Sequence, residues 1–278
     1  MEQQSKALVT PEWIIANRDN PKLVLIEIDT DDTSAFEQGH IPGATGWAWK
    51  EVLWDRNMRE FPDPQEFARR MERFGISNDS IVVFYGDPVE FGFYGWWTFK
   101  YCGHDDVRML DGGKKRWRAE GHQLVTDTKA ITPGVYEPRP RRDDIRALKD
   151  EVVKSIGDNA VAILDNRSDD EFYGRSNNLP GKPDFGAERY GHIPGAKQLN
   201  FVNLLDETES FLDPAAIRQK LENAGATPDK RVICYCRRSH RAALVCFTMI
   251  ELLGYTDVRN YDGSWTEWGT AVGTPIER

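Results

Sequence analysis

The chain has 278 residues and a formal net charge of −9, with 40% hydrophobic, 11% aromatic and 29% charged residues. That much apolar material supports one large or two ordinary folded domains and excludes a disordered, collagen-like or coiled-coil chain. The acidic balance argues against nucleic acid as a partner. No run approaches the roughly 20 apolar residues of a membrane span, and the first ten residues lack the basic start and apolar core of a signal peptide, so a cytoplasmic protein with no membrane partner is expected.

In chain order, Thr10-Pro11-Glu12 opens a helix with a hydroxyl cap and proline at its first position. LVLIEID at 23–29 reads as a buried strand, Asp63-Pro64 starts a helix ending near Gly75, and IVVFY at 81–85 is a second strand followed by an apolar helical stretch to Gly103. The second half repeats this with VAILD at 161–165, an Asp213-Pro214 helix ending near Gly225, VICY at 232–235 and a helix through HRAALVCFTMIELLGY. The string GHIPGA at Gly39–Ala44 returns at Gly191–Ala196, and DVRMLDGG at 106–113 returns as DVRNYDGS at 257–264. Self-similarity at a near-constant offset marks an internal duplication.

Strands alternating with helices predict an α/β fold used twice, each copy a mostly parallel sheet flanked by helices. Residues 126–144 contain three prolines and no apolar period, which suits an extended linker. The expected organisation is a first domain over 1–125, a linker over 126–144 and a second domain over 145–278. The second half carries an insertion at 174–190, rich in turn formers, that reads as a surface loop or as a flap bringing Arg175, Lys182 or Arg189 to an anion.

Chemistry concentrates after VICY, which runs into CRRSHR at 236–241 and then into a helix. A strand, a short turn and a helix start converge N–H groups and the helix dipole on one point. A thiol there sits in a potential that favours thiolate, and Arg237, Arg238 and Arg241 add cations within the same six residues. Cys102, Cys234 and Cys246 read as free, mostly core thiols, because four cysteines in so long a chain do not make a disulfide scaffold. The spacing C-x-C-x3-H at 234–240 lacks a second ligand pair, so no metal is expected. His40 and His192 belong to the repeated GHIPGA and read as structural, and the tryptophans, Trp47, Trp49, Trp96, Trp97, Trp265 and Trp268 among them, read mostly as core.

Two α/β halves, GHIPGA in both, Asp165-x-Arg167 with Glu171-Phe172 downstream, a cysteine opening a six-residue loop, and DGSWTEWG at 262–269 together resemble a tandem-domain rhodanese, a thiosulfate sulfurtransferase. The resemblance covers essentially the whole chain. It implies a catalytic C-terminal domain and a first domain without the cysteine that walls the cleft, since Gly86 stands opposite Cys236. It implies that Cys236 takes the outer sulfur of thiosulfate as a persulfide, releases sulfite and passes the sulfur to cyanide or a thiol by ping-pong covalent catalysis. Arg167, Arg237, Arg238, Ser239, His240 and Arg241 are the expected substrate-binding residues, His240 lining the entrance rather than acting as a base. For Arg167, pairing with Asp165 or Glu171 to fix the loop is the competing role. No cofactor is implied; the partners are a small-molecule sulfur donor and acceptor or a thiol protein, and a monomer is expected.

The loop departs from the common C-R-x-G-x-T pattern of that family: Ser239 stands for the glycine, implying strain if φ is positive there, and Arg241 stands for the final hydroxyl residue, implying a more cationic pocket. Three rival functions remain. A cysteine phosphatase or arsenate reductase of related fold needs C-x5-R, whereas Cys236 to Arg241 is C-x4-R. A 3-mercaptopyruvate sulfurtransferase usually carries a little-charged loop. A persulfide carrier to a partner protein needs the same thiolate.

Overall fold

A computed structural model of the chain describes residues 5–30, 32–55, 57–177 and 187–278. It divides into two compact units, one of Met1–Arg142 with Glu207–Phe211, the other of Asp143–Asp206 with Leu212–Arg278. Each is built on a five-stranded, wholly parallel sheet.

The first sheet holds β1 (Leu8–Val9), β2 (Leu23–Asp29), β3 (Ala44–Ala48), β4 (Ile81–Asp87) and β5 (Val107–Leu110), in the spatial order β1-β5-β4-β2-β3. The second holds β6 (Arg146–Ala147), β7 (Val161–Asp165), β8 (Lys197–Gln198), β9 (Arg231–Tyr235) and β10 (Val258–Tyr261), in the matching order β6-β10-β9-β7-β8. The central strands are nearly continuous apolar runs because helices cover both faces of a parallel sheet. Val82, Val83, Phe84, Val232, Ile233 and Cys234 are fully buried.

The helix starts follow their caps. Thr10 Oγ1 accepts from Trp13 N at 3.3 Å, Asp63 Oδ1 from Glu66 N at 2.8 Å and Asp213 Oδ1 from Ala215 N at 2.9 Å, each before a proline that has no N–H to leave unpaired. The helix His240–Phe247 continues as a π-helical segment, Thr248–Leu252. That segment absorbs a one-residue insertion. Thr98 and Thr248, 150 apart, each donate to the carbonyl four residues back, whereas His104 N reaches Phe99 O and its counterpart Tyr255 N reaches Met249 O, one residue further.

Residues 126–142 are extended and pinned to the first unit. Gly134 N donates to Glu72 O, Asn78 and Glu137 exchange two hydrogen bonds of 2.7 and 2.9 Å, Tyr136 meets His104 Nδ1 at 3.0 Å, and Arg141 Nη2 donates to Phe61 O and Pro62 O. The two GHIPGA histidines have the same setting: His40 stacks on Phe36 and its Nδ1 lies 3.0 Å from Phe36 O, and His192 stacks on Phe172 with Nδ1 3.0 Å from Phe172 O. The six tryptophans named above are all buried.

Candidate active site

In an open parallel sheet, the crevice for a ligand lies beyond the carboxyl ends of the strands where the connections run to opposite sides. In the second unit that point falls between β7 and β9. Asp165, the last residue of β7, pairs in register with Tyr235, the last of β9, so residues 165–167 and the loop starting at Cys236 emerge side by side.

The loop is anchored from beneath by DGSWTEWG. Ser264 Oγ accepts from Cys236 N at 3.2 Å and from Ser239 N at 3.1 Å, and donates to Tyr261 O at 2.8 Å. Trp265 N donates to Cys236 O, while Thr266 donates to Arg237 O through both its N–H and its hydroxyl. Ser239 closes the turn in the left-handed region at φ 77, where glycine is the easier residue, and precedes the helix beginning at His240 without a side-chain capping bond.

Cys236 is 1% exposed. Arg237 and Arg238 are half-buried, and Ser239, His240 and Arg241 are buried. Arg241 is held by Glu171 through two hydrogen bonds, Nη1 to Oε2 at 2.6 Å and Nη2 to Oε1 at 2.9 Å. Burial works to raise the Glu171 carboxyl, but Arg241 outweighs it and lowers the pKa to about 2. Arg241 therefore brings its own counter-charge and does not make the loop more cationic. Glu171 also accepts from Ser168 N and Oγ, completing a capping box that starts the helix Asp169–Phe172.

Arg167 lies wholly inside. Its Nε and Nη2 donate to Asp165, its Nη2 also donates to Gly191 O at 2.7 Å, and the guanidinium sits 4.5 Å from the ring centroid of Trp265. Burial opposes the charge, yet Asp165 outweighs it and raises the pKa of Arg167. Asp165 is thus the pairing partner of Arg167 through Nε and Nη2, while the buried Nη1 has no hydrogen-bond partner among the described residues. Arg237 and Arg238 are the half-buried cations that follow Cys236 directly.

The insertion side chains are used elsewhere. Arg175 is exposed on Asp170, and Arg189 donates to the carbonyls of Trp268, Gly269, Ala271 and Thr274 and to the Thr274 hydroxyl. Lys182 lies outside the described residues.

The first unit repeats this frame with the charges moved. Glu27 pairs in register with Tyr85 as Asp165 does with Tyr235, and the tyrosine hydroxyls accept from Ile41 N and Ile193 N at 3.2 and 3.1 Å. The buried cation, however, is Lys114, which occupies the sequence position of Trp265. Its Nζ lies 2.5 Å from Glu27 Oε1 and 3.0 Å from Asp87, and donates to Gly39 O, the counterpart of the Gly191 carbonyl that receives Arg167. Burial pushes the Glu27 carboxyl up to about 7 against the pull of Lys114. At the position of Cys236 stands Gly86, against which the following helix is closed: a Cβ there would meet Gly92 N and lie 2.5 Å from Pro88 O. No side chain fits at Gly86 without a backbone shift.

Comparison with known proteins gives the same two-part division. The family model described as Rhodanese-like domain matches residues 10–120 and again 148–271. The chain belongs to the rhodanese-like family. It is a tandem rhodanese-like chain, 40% identical over 277 residues to the sulfur carrier protein TtuD of Thermus thermophilus, covering 98% of this chain and 97% of that one. It is 38% identical over 275 residues to a Mycolicibacterium smegmatis protein named "Putative thiosulfate sulfurtransferase", covering 99% and 98%. Among solved structures, the anaerobic ergothioneine biosynthesis enzyme from Chlorobium limicola superposes with a TM-score of 0.86 over 98% of this chain and 70% of that chain, at 24% identity, a likeness of fold. These relatives place the protein among the rhodanese-like sulfurtransferases. No helix among the described residues is long and apolar enough to cross a membrane.

The sequence pattern missed two residues of the loop's support. Ser264 gave no sign beyond its place in DGSWTEWG, and the link from Glu171 to Arg241 joins residues 70 apart. The motif Ser168-x-x-Glu171 before an apolar residue was the one local sign that Glu171 has a fixed place.

Proposed function

We propose that this protein transfers the sulfane sulfur of thiosulfate to cyanide or a thiol through a persulfide on Cys236, the C-terminal half being catalytic and the first half not. The Cys236 thiolate attacks the outer sulfur of thiosulfate, the S–S bond to the sulfonate breaks with its electron pair, and sulfite leaves. An acceptor thiolate or cyanide then takes the outer sulfur and restores the thiolate. The observation that carries this reading is the position of Cys236, at the carboxyl end of a central strand in a loop turned by Ser239 into a helix start, with the cations Arg237 and Arg238 beside it.

In this reading Arg237 and Arg238 attract the anionic donor and departing sulfite. Ser239 and His240 shape the turn, and Arg167 and Arg241 act through Asp165 and Glu171 to hold the strand ends and loop in place. The burial of Cys236 favours a small donor. The charge of the loop favours the dianionic thiosulfate over 3-mercaptopyruvate, and C-x4-R is one residue short of a phosphatase loop. A second reading, a persulfide carrier serving a partner protein, is favoured by the name of the Thermus relative.

Intact mass after incubation with thiosulfate tests the reading: a gain of about 32 Da, one sulfur, is expected on the parent and on Cys234→Ser, and none on Cys236→Ser. An unchanged gain on Cys236→Ser would refute it. Comparing kcat/KM for thiosulfate and 3-mercaptopyruvate ranks the donors. Slow cyanide turnover beside rapid transfer to one thiol protein would select the carrier reading.

A further inference from the structure

Ser264 combines three features that the fold alone does not require. It is wholly buried, it is not glycine although φ is 52, and its hydroxyl makes three hydrogen bonds, two of them received from the N–H groups of Cys236 and Ser239. Its counterpart in the first unit is Gly113, at φ 48, so the left-handed φ at this position is adopted there without a hydroxyl, although the preceding glycines differ, Gly112 at φ 71 and Gly263 at φ −59. The first unit has Gly86 and a closed helix start where the second has the Cys236 loop. A serine in left-handed backbone is retained at a cost that glycine would avoid, and what it supplies over glycine is one oxygen between the first and fourth residues of the loop.

We infer that Ser264 is a positioning residue of the Cys236 loop: by accepting from Cys236 N and Ser239 N at once, its hydroxyl ties the two ends of the turn to Tyr261 and imposes the left-handed bend at Ser239. The oxygen acts through backbone, with the neighbouring Trp265 and Thr266 N–H groups holding Cys236 O and Arg237 O from the same side. Preorganised loop dipoles aimed at developing charge are worth large factors in rate, and they hold only while the loop keeps its curvature. The inference rests on the reading of Cys236 as the sulfur acceptor.

Two variants separate backbone strain from the hydroxyl. Ser264→Gly removes the oxygen and relieves φ; Ser264→Ala removes the oxygen and keeps the strain. Expected thermal midpoints rank glycine level with or above the parent and alanine lowest. Thiosulfate–cyanide turnover per titrated Cys236 should instead fall about tenfold or more in both variants alike, in kcat, with KM for thiosulfate within twofold, because the hydroxyl meets loop backbone and not donor. Amide hydrogen exchange at Cys236 and Ser239, followed by mass spectrometry, should quicken at least tenfold in Ser264→Gly. A Ser264→Gly protein with parental kcat and parental exchange overturns the inference. If the parent itself takes up no sulfur, the proposed function fails, and the exchange rates still decide the role of Ser264: unchanged protection of both amides in Ser264→Gly overturns it.

Discussion

Replacing Glu171 by glutamine keeps the shape and one acceptor oxygen for Arg241 but removes the buried negative charge. Arg241 holds the Glu171 carboxyl down at about 2, against 4.5 for a free glutamate, and this lowering sets the scale of what the charge contributes. A difference of this size corresponds to about 3 kcal/mol at neutral pH, which agrees with the roughly 3–5 kcal/mol lost when one partner of a buried pair is removed. Because the folded pKa lies below the unfolded one, the contribution is fully present above pH 4.5 and fades as pH falls toward 2, dropping to about 1 kcal/mol at pH 3. Urea unfolding of parent and Glu171→Gln, read by calorimetry and by tryptophan fluorescence at pH 7, 4.5 and 3, should therefore show a gap of about 3 kcal/mol at pH 7 that narrows by more than half at pH 3. A gap of constant size across that range would refute the argument, since it would mean that Glu171 acts through packing or its capping hydrogen bonds and not through its charge.

Arg167→Met leaves the Asp165 carboxylate buried without its cation, and a loss of about 3–5 kcal/mol in chemical denaturation is expected. Parental stability with only a raised KM for thiosulfate would restore Arg167 to a direct donor contact. In the first unit Glu27 has the opposite sign: its folded pKa, about 7, lies above the unfolded value, so its contribution is present below pH 4.5 and is lost as pH rises to 7. Glu27→Gln should flatten the decline of stability between pH 4.5 and 7, and a decline as steep as the parent's would show that another group is responsible.

The parts of this structure legible in the sequence are those held by local or periodic forces. LVLIEID and IVVFY are strands because both faces of a parallel sheet are covered, which leaves a continuous apolar run, and the Asp63-Pro64 and Asp213-Pro214 starts are local hydrogen bonds. The edge strands Leu8–Val9, Arg146–Ala147 and Lys197–Gln198 are two residues long and carry no period to read. Position in the candidate site was legible too, since a strand, a turn and a helix start must converge at Cys236. Charge was not. Which arginine faces a ligand and which faces a carboxylate depends on pairs brought together by the sheet, and four arginines of similar promise divide into two locked on Asp165 and Glu171 and two at the half-buried loop.

The duplication supplies its own control for what the proposed active loop needs. Both halves keep the tyrosine near the carboxyl end of the central strand, its hydroxyl on the isoleucine N–H of GHIPGA, and a buried cation delivered to the glycine carbonyl that opens that string. These features persist where glycine, Gly86, stands in place of the loop cysteine, so they belong to the fold. What changes at the loop is a short set: the cation moves from Lys114, on the helix after the last strand, to Arg167, two residues past the end of β7; an aromatic ring, Trp265, takes the vacated place beneath the guanidinium; Gly113 becomes Ser264; and Gly86, pressed against Gly92, becomes Cys236. What the second half adds from side chains is two hydroxyls, Ser264 Oγ on Cys236 N and Ser239 N and Thr266 Oγ1 on Arg237 O, where the first half has Gly113 and Lys115. A cysteine at Gly86 alone would meet the helix start above it and find no hydroxyl beneath it, so on the proposed role of Cys236 the first half differs from the second by at least three coordinated substitutions and not by one missing sulfur.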